Sequence, residues 1–359
     1  MSQKGQTAVI CLSKVNGGME LAAVKLARIL SAEMGIIFMA RDGGFIEKER
    51  VNHFENYDIS LHVIDFKSYF SLKLISSVRE VIKNNNIKNI IFLGASEMRS
   101  LYFACLGLNV NFIIRQGSKK TTPKKDPIHR LFYSNINHFV GNCEYIKQNM
   151  KETLPIPKHA TLSRIYSSLK LPLHVETKKQ NDVLDIVLVG RIHPGKGQLD
   201  AIKACEVLYK NNIKFTLRFL GDIQYKEYHQ DILKYLDNSS FKNSVEIVGY
   251  TKEVPKYLQQ SDIFLFPALG EGMSNAIIEA LGYGLITIIY DDTSSPEFKT
   301  LGFNIHLTKE NNVKNLQDIL FNISKDITIE KEQATQNMPL ARKVFATTRE
   351  KNEYLNLLR

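Results

Sequence analysis

Short apolar runs rich in β-branched residues recur along the chain, separated by stretches whose apolar residues repeat at helical spacing. In the first half the runs are "TAVICLS", "GIIFMA", "NIIFLG" and "NFIIR". In the second they are "LDIVLVG", "FTLRFLG", "VEIVG", "IFLFP" and "LITIIY". Segments such as "GMELAAVKLARILSAEM", "LDAIKACEVLYKNN" and "EVPKYLQQSD" supply the intervening helices. Strands alternating with helices predict an α/β fold with parallel sheets flanked by helices.

The polar, Pro-containing stretch "LKLPLHVETKKQND" (169–182) breaks this alternation and reads as a linker. A chain of 359 residues is also too long for one ordinary core. The expected organisation is a Rossmann-like domain over 1–168, a second over 183–340, and a cleft between them. The tail "ARKVFATTREKNEYLNLLR" (341–359) predicts a terminal helix packing back towards the first domain.

Charge adds an asymmetry. Residues 1–168 hold 23 Lys and Arg against 13 Asp and Glu, whereas 169–359 hold 24 of each, so the whole net charge of +10 lies in the first half. A one-sided basic face predicts an anionic partner. No nucleic-acid motif accompanies it, which favours an acidic membrane surface or an anionic acceptor. No apolar run reaches the ~20 residues of a membrane-spanning helix. The start "MSQKGQTAVICLSKVNGG" reads as a strand and its loop, with no secretory leader expected. Cys11, Cys105, Cys143 and Cys205 are too scattered for a metal site and predict buried thiols in a reducing cytoplasm.

Three loops carry candidate chemistry. Gly17 and Gly18 follow the first strand and open a helix, where a ligand can approach the backbone and the helix N-terminus attracts anions. In "LVGRIHPGKGQLDAI", Arg191 and Lys196 lie in a strand-to-helix loop at the C-terminal edge of a parallel sheet. Two such cations suit a diphosphate: Arg binds in a bidentate manner and Lys acts as a point charge. In "IFLFPALGEGMSNAIIEALGYG", Glu271 falls in a loop and Glu279 lies inside an apolar helix, with no Lys or Arg within a helical turn. A buried carboxylate needs donors, and a ribose diol would provide two. The amides from Gly272 through Met273 and Ser274 to Asn275 are free to meet an anion or a sugar hydroxyl.

The element "EGMSNAIIEA" resembles the E-x7-E motif of the retaining GT-B glycosyltransferases, the family 4-like group that includes lipopolysaccharide-core and capsule transferases. "GRIHPGKG" resembles that group's G-R-x…K-G loop, and "FLGD", "VGY" and "SDIFLFPALGEG" fall at its spacings. The likeness covers most of 183–290; in the first half it rests on the Gly17–Gly18 loop and "HFVGNCEYIKQNM". It implies a GT-B fold, two Rossmann-like domains whose parallel sheets face a central cleft. It implies a metal-independent retaining glycosyltransferase with no cofactor beyond a nucleotide-sugar donor, a UDP-sugar being expected. Arg191 and Lys196 would hold the diphosphate, Glu271 would face the transferred sugar, Glu279 would bind the ribose, and Tyr250 would lie near the base. Gly17, Gly18 and Gly221 would belong to the donor site. Gln116–Gly117 stands where many relatives have His-Gly, so a side-chain acid or base is absent there, and the Asn common before the linker is missing from "RIYSS".

The loop "RQGSKKTTPKKDPIHR" concentrates Lys119, Lys120, Lys124 and Lys125 beside Arg115 and Gln116, the candidate acceptor side. "FKSYFSLKLISSVREVIK" (66–83) reads as a basic amphipathic helix that could rest on an acidic leaflet. Together they predict an enzyme of bacterial lipopolysaccharide or surface polysaccharide biosynthesis. It would sit in the cytoplasm, peripheral on the inner face of the membrane, and act on a phosphorylated or lipid-linked glycan. A GT-B sugar-nucleotide epimerase and a non-catalytic membrane-surface scaffold are the competing readings.

Overall fold

A computed structural model describes residues 6–94, 96–176 and 182–359. The chain divides into two units. The first runs to Ser167 and includes Thr347–Arg359; the second is Ser168–Ala346.

Unit one is built on a parallel sheet of β1 (Gln6–Cys11), β2 (Ile36–Arg41), β3 (Ile59–Ile64), β4 (Ile87–Leu93), β5 (Asn111–Gln116), β6 (His138–Gly141) and β7 (Thr161–Arg164). Their order is β3-β2-β1-β4-β5-β6-β7. Central strands are apolar throughout because helices cover both faces: Val9 pairs with Phe38 and Ile91, and all three are fully buried. Burying each such side chain contributes about 1.5–3 kcal/mol.

Unit two carries β8 (Leu184–Val189), β9 (Phe215–Leu220), β10 (Val245–Gly249), β11 (Ile263–Phe266), β12 (Ile286–Tyr290) and β13 (His306–Thr308). Its parallel order is β10-β9-β8-β11-β12-β13. β6 is expected only from the resemblance of "HFVGNCEYIKQNM", and neither the apolar runs nor the resemblance predict β3, β7 or β13. All three lie at sheet edges, and their part-exposed residues break the apolar pattern.

Two helical expectations change. The helix expected over 66–83 starts only at Leu72 and runs to Asn84, because the Ser71 hydroxyl caps it by accepting from the Leu74 amide. Phe66 turns inward instead, with the Arg41 guanidinium 4.2 Å from its ring centre. The tail is two helices, Asn337–Val344 and Thr347–Leu357, rather than one. The second belongs to unit one, where Tyr354 enters the core against the helix Gly18–Ser31 and Glu350 pairs with Lys25 at 3.1 Å. Of the expected linker, 177–181 lie outside the described residues. Leu171 packs on unit two, where a Cβ on Gly282 would meet its side chain at 2.6 Å. The four cysteines are buried free thiols. Among the described residues no helix is long and apolar enough to cross a membrane.

Candidate active site

In unit two, β8 lies between β9 and β11, so the strand order reverses beside it. The loops after β8 and β11 flank that reversal, at the sheet edge where open α/β sheets bind ligands.

The β8 loop is fixed by its own short-range chemistry. The His193 Nδ1 accepts from the Gly195 amide at 3.0 Å, starting the turn Pro194–Lys196. Gly197 follows with φ 73°, and a Cβ there would sit 2.1 Å from the Pro267 carbonyl oxygen. Only glycine lets the two loops touch backbone to backbone. The Leu269 amide then donates to the Gly195 carbonyl at 3.0 Å, and the buried Gln198 side chain donates to the Arg191 carbonyl at 2.9 Å.

This bracing brings Lys196 and Glu271 into an ion pair, with the Lys196 ammonium 5.5 Å from the Phe266 ring centre. Arg191 is exposed, and its guanidinium meets no acceptor among the described residues. The Glu271 loop is held from behind by the turn after β12. The Thr293 hydroxyl donates to the Glu271 carbonyl, the Ser294 hydroxyl donates to the Gly272 carbonyl at 2.7 Å, and the Gly270 amide donates to Asp292. With the carbonyls engaged, the amides of Gly272, Met273 and Ser274 meet no acceptor among the described residues. Ser274 caps the helix Asn275–Gly282 without a side-chain bond, so the first-turn amides there are also open to an anion.

Glu279 lies on that helix, part-buried, and no donor reaches its carboxylate among the described residues. Burial alone pushes its carboxyl up to about 7. Tyr283 is raised by burial and then by the Glu279 charge.

The remaining sequence candidates fall into four groups. Gly221 is architectural: its φ of 149° and its amide bond to the Gly249 carbonyl at 2.8 Å close β8, β9 and β10 together, and a Cβ would meet the Gly190 oxygen at 2.3 Å. Tyr250, two-thirds exposed, stands at the end of β10 on the same sheet edge. Gly17 and Gly18 open their helix at the corresponding reversal of unit one, between β1 and β4. Gly17 has extended backbone, and a Cβ there would approach the buried Glu20 carboxylate at 3.0 Å.

Arg115 is buried at 6% exposure and donates to the Ser167 hydroxyl, inside the unit that holds the returning C-terminal helix. Gln116 donates to Asn149 at 3.0 Å, and Asn149 in turn clamps the Lys120 backbone through bonds of 2.8 and 2.9 Å. Lys119, Lys120 and Lys125 are exposed, and Lys119 lies 5.8 Å from the Tyr145 ring centre. Lys124 is part-buried, and its ammonium is held below the usual lysine value by burial, then by Lys120 and Arg99.

Sequence reasoning missed the bracing residues His193, Gln198, Asp292, Thr293 and Ser294. For Asp292, Thr293 and Ser294 the one legible signal is position: "DDTSSPE" follows a strand end on the same edge of the sheet as Glu271. Among the described residues no three His, Cys, Asp or Glu side chains gather to hold a metal ion.

Residues 172–338 match the model of "Glycosyl transferases group 1". The chain is 25% identical over 314 residues to the capsular polysaccharide biosynthesis glycosyltransferase CapH of Staphylococcus aureus, covering 82% of this chain and 85% of that one. It is 25% identical over 147 residues to the UDP-Gal:alpha-D-GlcNAc-diphosphoundecaprenol alpha-1,3-galactosyltransferase of Escherichia coli, covering 39% of this chain and 36% of that one. The crystal structure of Anabaena HepE in complex with UDP superposes with a TM-score of 0.82 at 14% identity, covering 99% of both chains. The likeness to the glycosyl transferases group 1 model thus lies over 172–338, and the chain as a whole has the GT-B fold, two Rossmann-like units each built on a parallel sheet.

Proposed function

We propose that this glycosyltransferase moves a sugar from a nucleoside-diphosphate donor, a UDP-sugar, to a lipid-linked or phosphorylated glycan, with retention at the anomeric carbon. The carrying observation is the convergence of Lys196, Glu271 and the open amides of Gly272–Ser274 on one sheet edge, beside an unengaged Arg191. Anion-binding groups next to a carboxylate able to accept from hydroxyls match a sugar joined to a diphosphate. The UDP bound to HepE supports the choice of base, and the lipid diphosphate named for the E. coli relative supports the acceptor class.

In this reading the donor diphosphate takes Lys196 and Arg191, releasing Glu271 to accept from hydroxyls of the transferred sugar. Glu279 accepts from the ribose diol, which supplies the donors its buried carboxylate lacks. The bond from the anomeric carbon to the phosphate oxygen breaks with its electron pair leaving on the diphosphate. Arg191 and Lys196 offset that growing charge, so no metal enters the scheme. The acceptor hydroxyl then attacks from the face the leaving group vacated, and its proton passes to a departing phosphate oxygen.

The basic surface of unit one would place the enzyme on the inner face of the cytoplasmic membrane, in surface polysaccharide assembly. The test is turnover of UDP-sugars with a membrane glycolipid extract, followed by determination of product linkage. A product of inverted configuration, or epimerisation without acceptor, would replace this mechanism.

A further inference from the structure

Two adjoining cavities of unit one, of ≈240 and ≈360 Å³, share Lys124 and Tyr133 in their walls. Lys120 lines the first and Arg99 the second, and neither cavity is lined by a carboxylate among the described residues. The nearby Asp126 is engaged as the helix cap of Pro127–Tyr133 and pairs with His129. Four cations, Arg99, Lys119, Lys120 and Lys124, thus line the two cavities with no carboxylate in either lining among the described residues.

The second cavity has an apolar lip. Tyr69 and Phe70 are 58% and 51% exposed, and Phe70 packs edge-on against Phe103 at 5.9 Å. Phe132 stands 6.0 Å from Phe103 and 5.7 Å below the Arg99 guanidinium. The lip is held in place, since the Ser100 hydroxyl donates to the Tyr69 carbonyl at 2.9 Å and accepts from the Ser71 amide at 3.1 Å. Leu72, Ile128 and Leu131 extend the exposed apolar surface along the flanking helices.

A flat bilayer would meet cations spread over a face, whereas these converge in a recess with aromatics at its mouth. We infer that this recess binds a single amphiphile, its phosphate or diphosphate head between Arg99, Lys120 and Lys124 and its hydrocarbon tail over Phe70 and Tyr69. The assignment rests on the lipid-linked acceptor of the proposed function and locates its head group.

Calorimetric titration of the full chain, saturated with UDP to occupy the donor site, tests it with farnesyl diphosphate, inorganic pyrophosphate and farnesol. Farnesyl diphosphate should bind saturably and at least about tenfold more tightly than either half alone. Arg99→Gln and Lys124→Gln should each weaken it about tenfold, and Phe70→Ser should reduce it to the level of pyrophosphate. Equal binding of pyrophosphate and farnesyl diphosphate would remove the tail from the site. Binding that both charge variants leave unchanged would remove the site altogether. Equal adsorption of wild type and both variants to phosphatidylglycerol vesicles, with no farnesyl diphosphate binding, would assign the basic face to a bilayer instead. The UDP titration done first reports on the donor reading independently.

Discussion

Lys196 and Glu271, 75 residues apart in sequence, close an ion pair across the β8 and β11 loops with their side chains only 18% and 25% exposed. Because the pair is not deeply buried, it contributes only about 1 kcal/mol to stability. Lys196→Ala and Glu271→Ala should therefore lower turnover by about 100- to 1000-fold, with a melting temperature within a few degrees of wild type. Steady-state rates beside thermal melts separate this from unfolding, and a variant that keeps near-normal rates would take its residue out of the site.

Glu279 makes stability depend on pH in an unusual direction. Its carboxyl is raised to about 7 in the folded chain, above the ordinary 4.5, so the folded state keeps a proton that the unfolded chain has released. Stability should fall as pH rises from about 4.5 to about 7 and level off above. Glu279→Gln should abolish that fall and gain about 2 kcal/mol at pH 8, read by denaturant melts. If ribose hydroxyls donate to the carboxylate, they favour its charged form. UDP affinity should then rise with pH through about 7 and release a proton, which calorimetry in two buffers of different ionisation enthalpy would detect.

Ser294 is buried and supports the Glu271 loop from behind. Ser294→Ala removes its bond to the Gly272 carbonyl and should cost about 1 kcal/mol of stability. Looser amides at Gly272–Ser274 should raise KM for the donor several-fold, with a smaller change in kcat. A kcat loss as large as that of Lys196→Ala would show a direct chemical role instead.

Two glycines of the same loops should respond differently to one added methyl. At Gly270, φ is 74° and the Cβ position is open, so Gly270→Ala should cost about 1–2 kcal/mol. At Gly197 the same backbone strain is joined by a Cβ placed 2.1 Å from the Pro267 oxygen. Gly197→Ala should cost at least about 3 kcal/mol and push the β8 and β11 loops apart. Equal chemical denaturation of the two variants would contradict the close approach.

The central strands and both site loops were legible in the sequence because buried parallel strands are uninterrupted apolar runs, and because glycines and charges punctuate their ends. Edge strands such as β3 and β7 were not, since half-exposed residues erase the pattern. Arg115 shows a different limit. A cation at a strand end looks like a ligand contact in sequence, which does not show that it also donates to Ser167 inside a unit completed by a helix from the far end of the chain. Thr293 and Ser294 were invisible for a related reason. Their hydroxyls act on carbonyls of a loop that only the β11–β12 pairing brings near.

The most direct measurement is calorimetric titration of UDP into wild type, Arg191→Ala, Lys196→Ala and Glu279→Gln. One tight site in the wild type, weakened about tenfold or more by every substitution, is the predicted result. A full-affinity site in all three variants, or no binding to the wild type at all, would show that these side chains do not meet on a nucleotide.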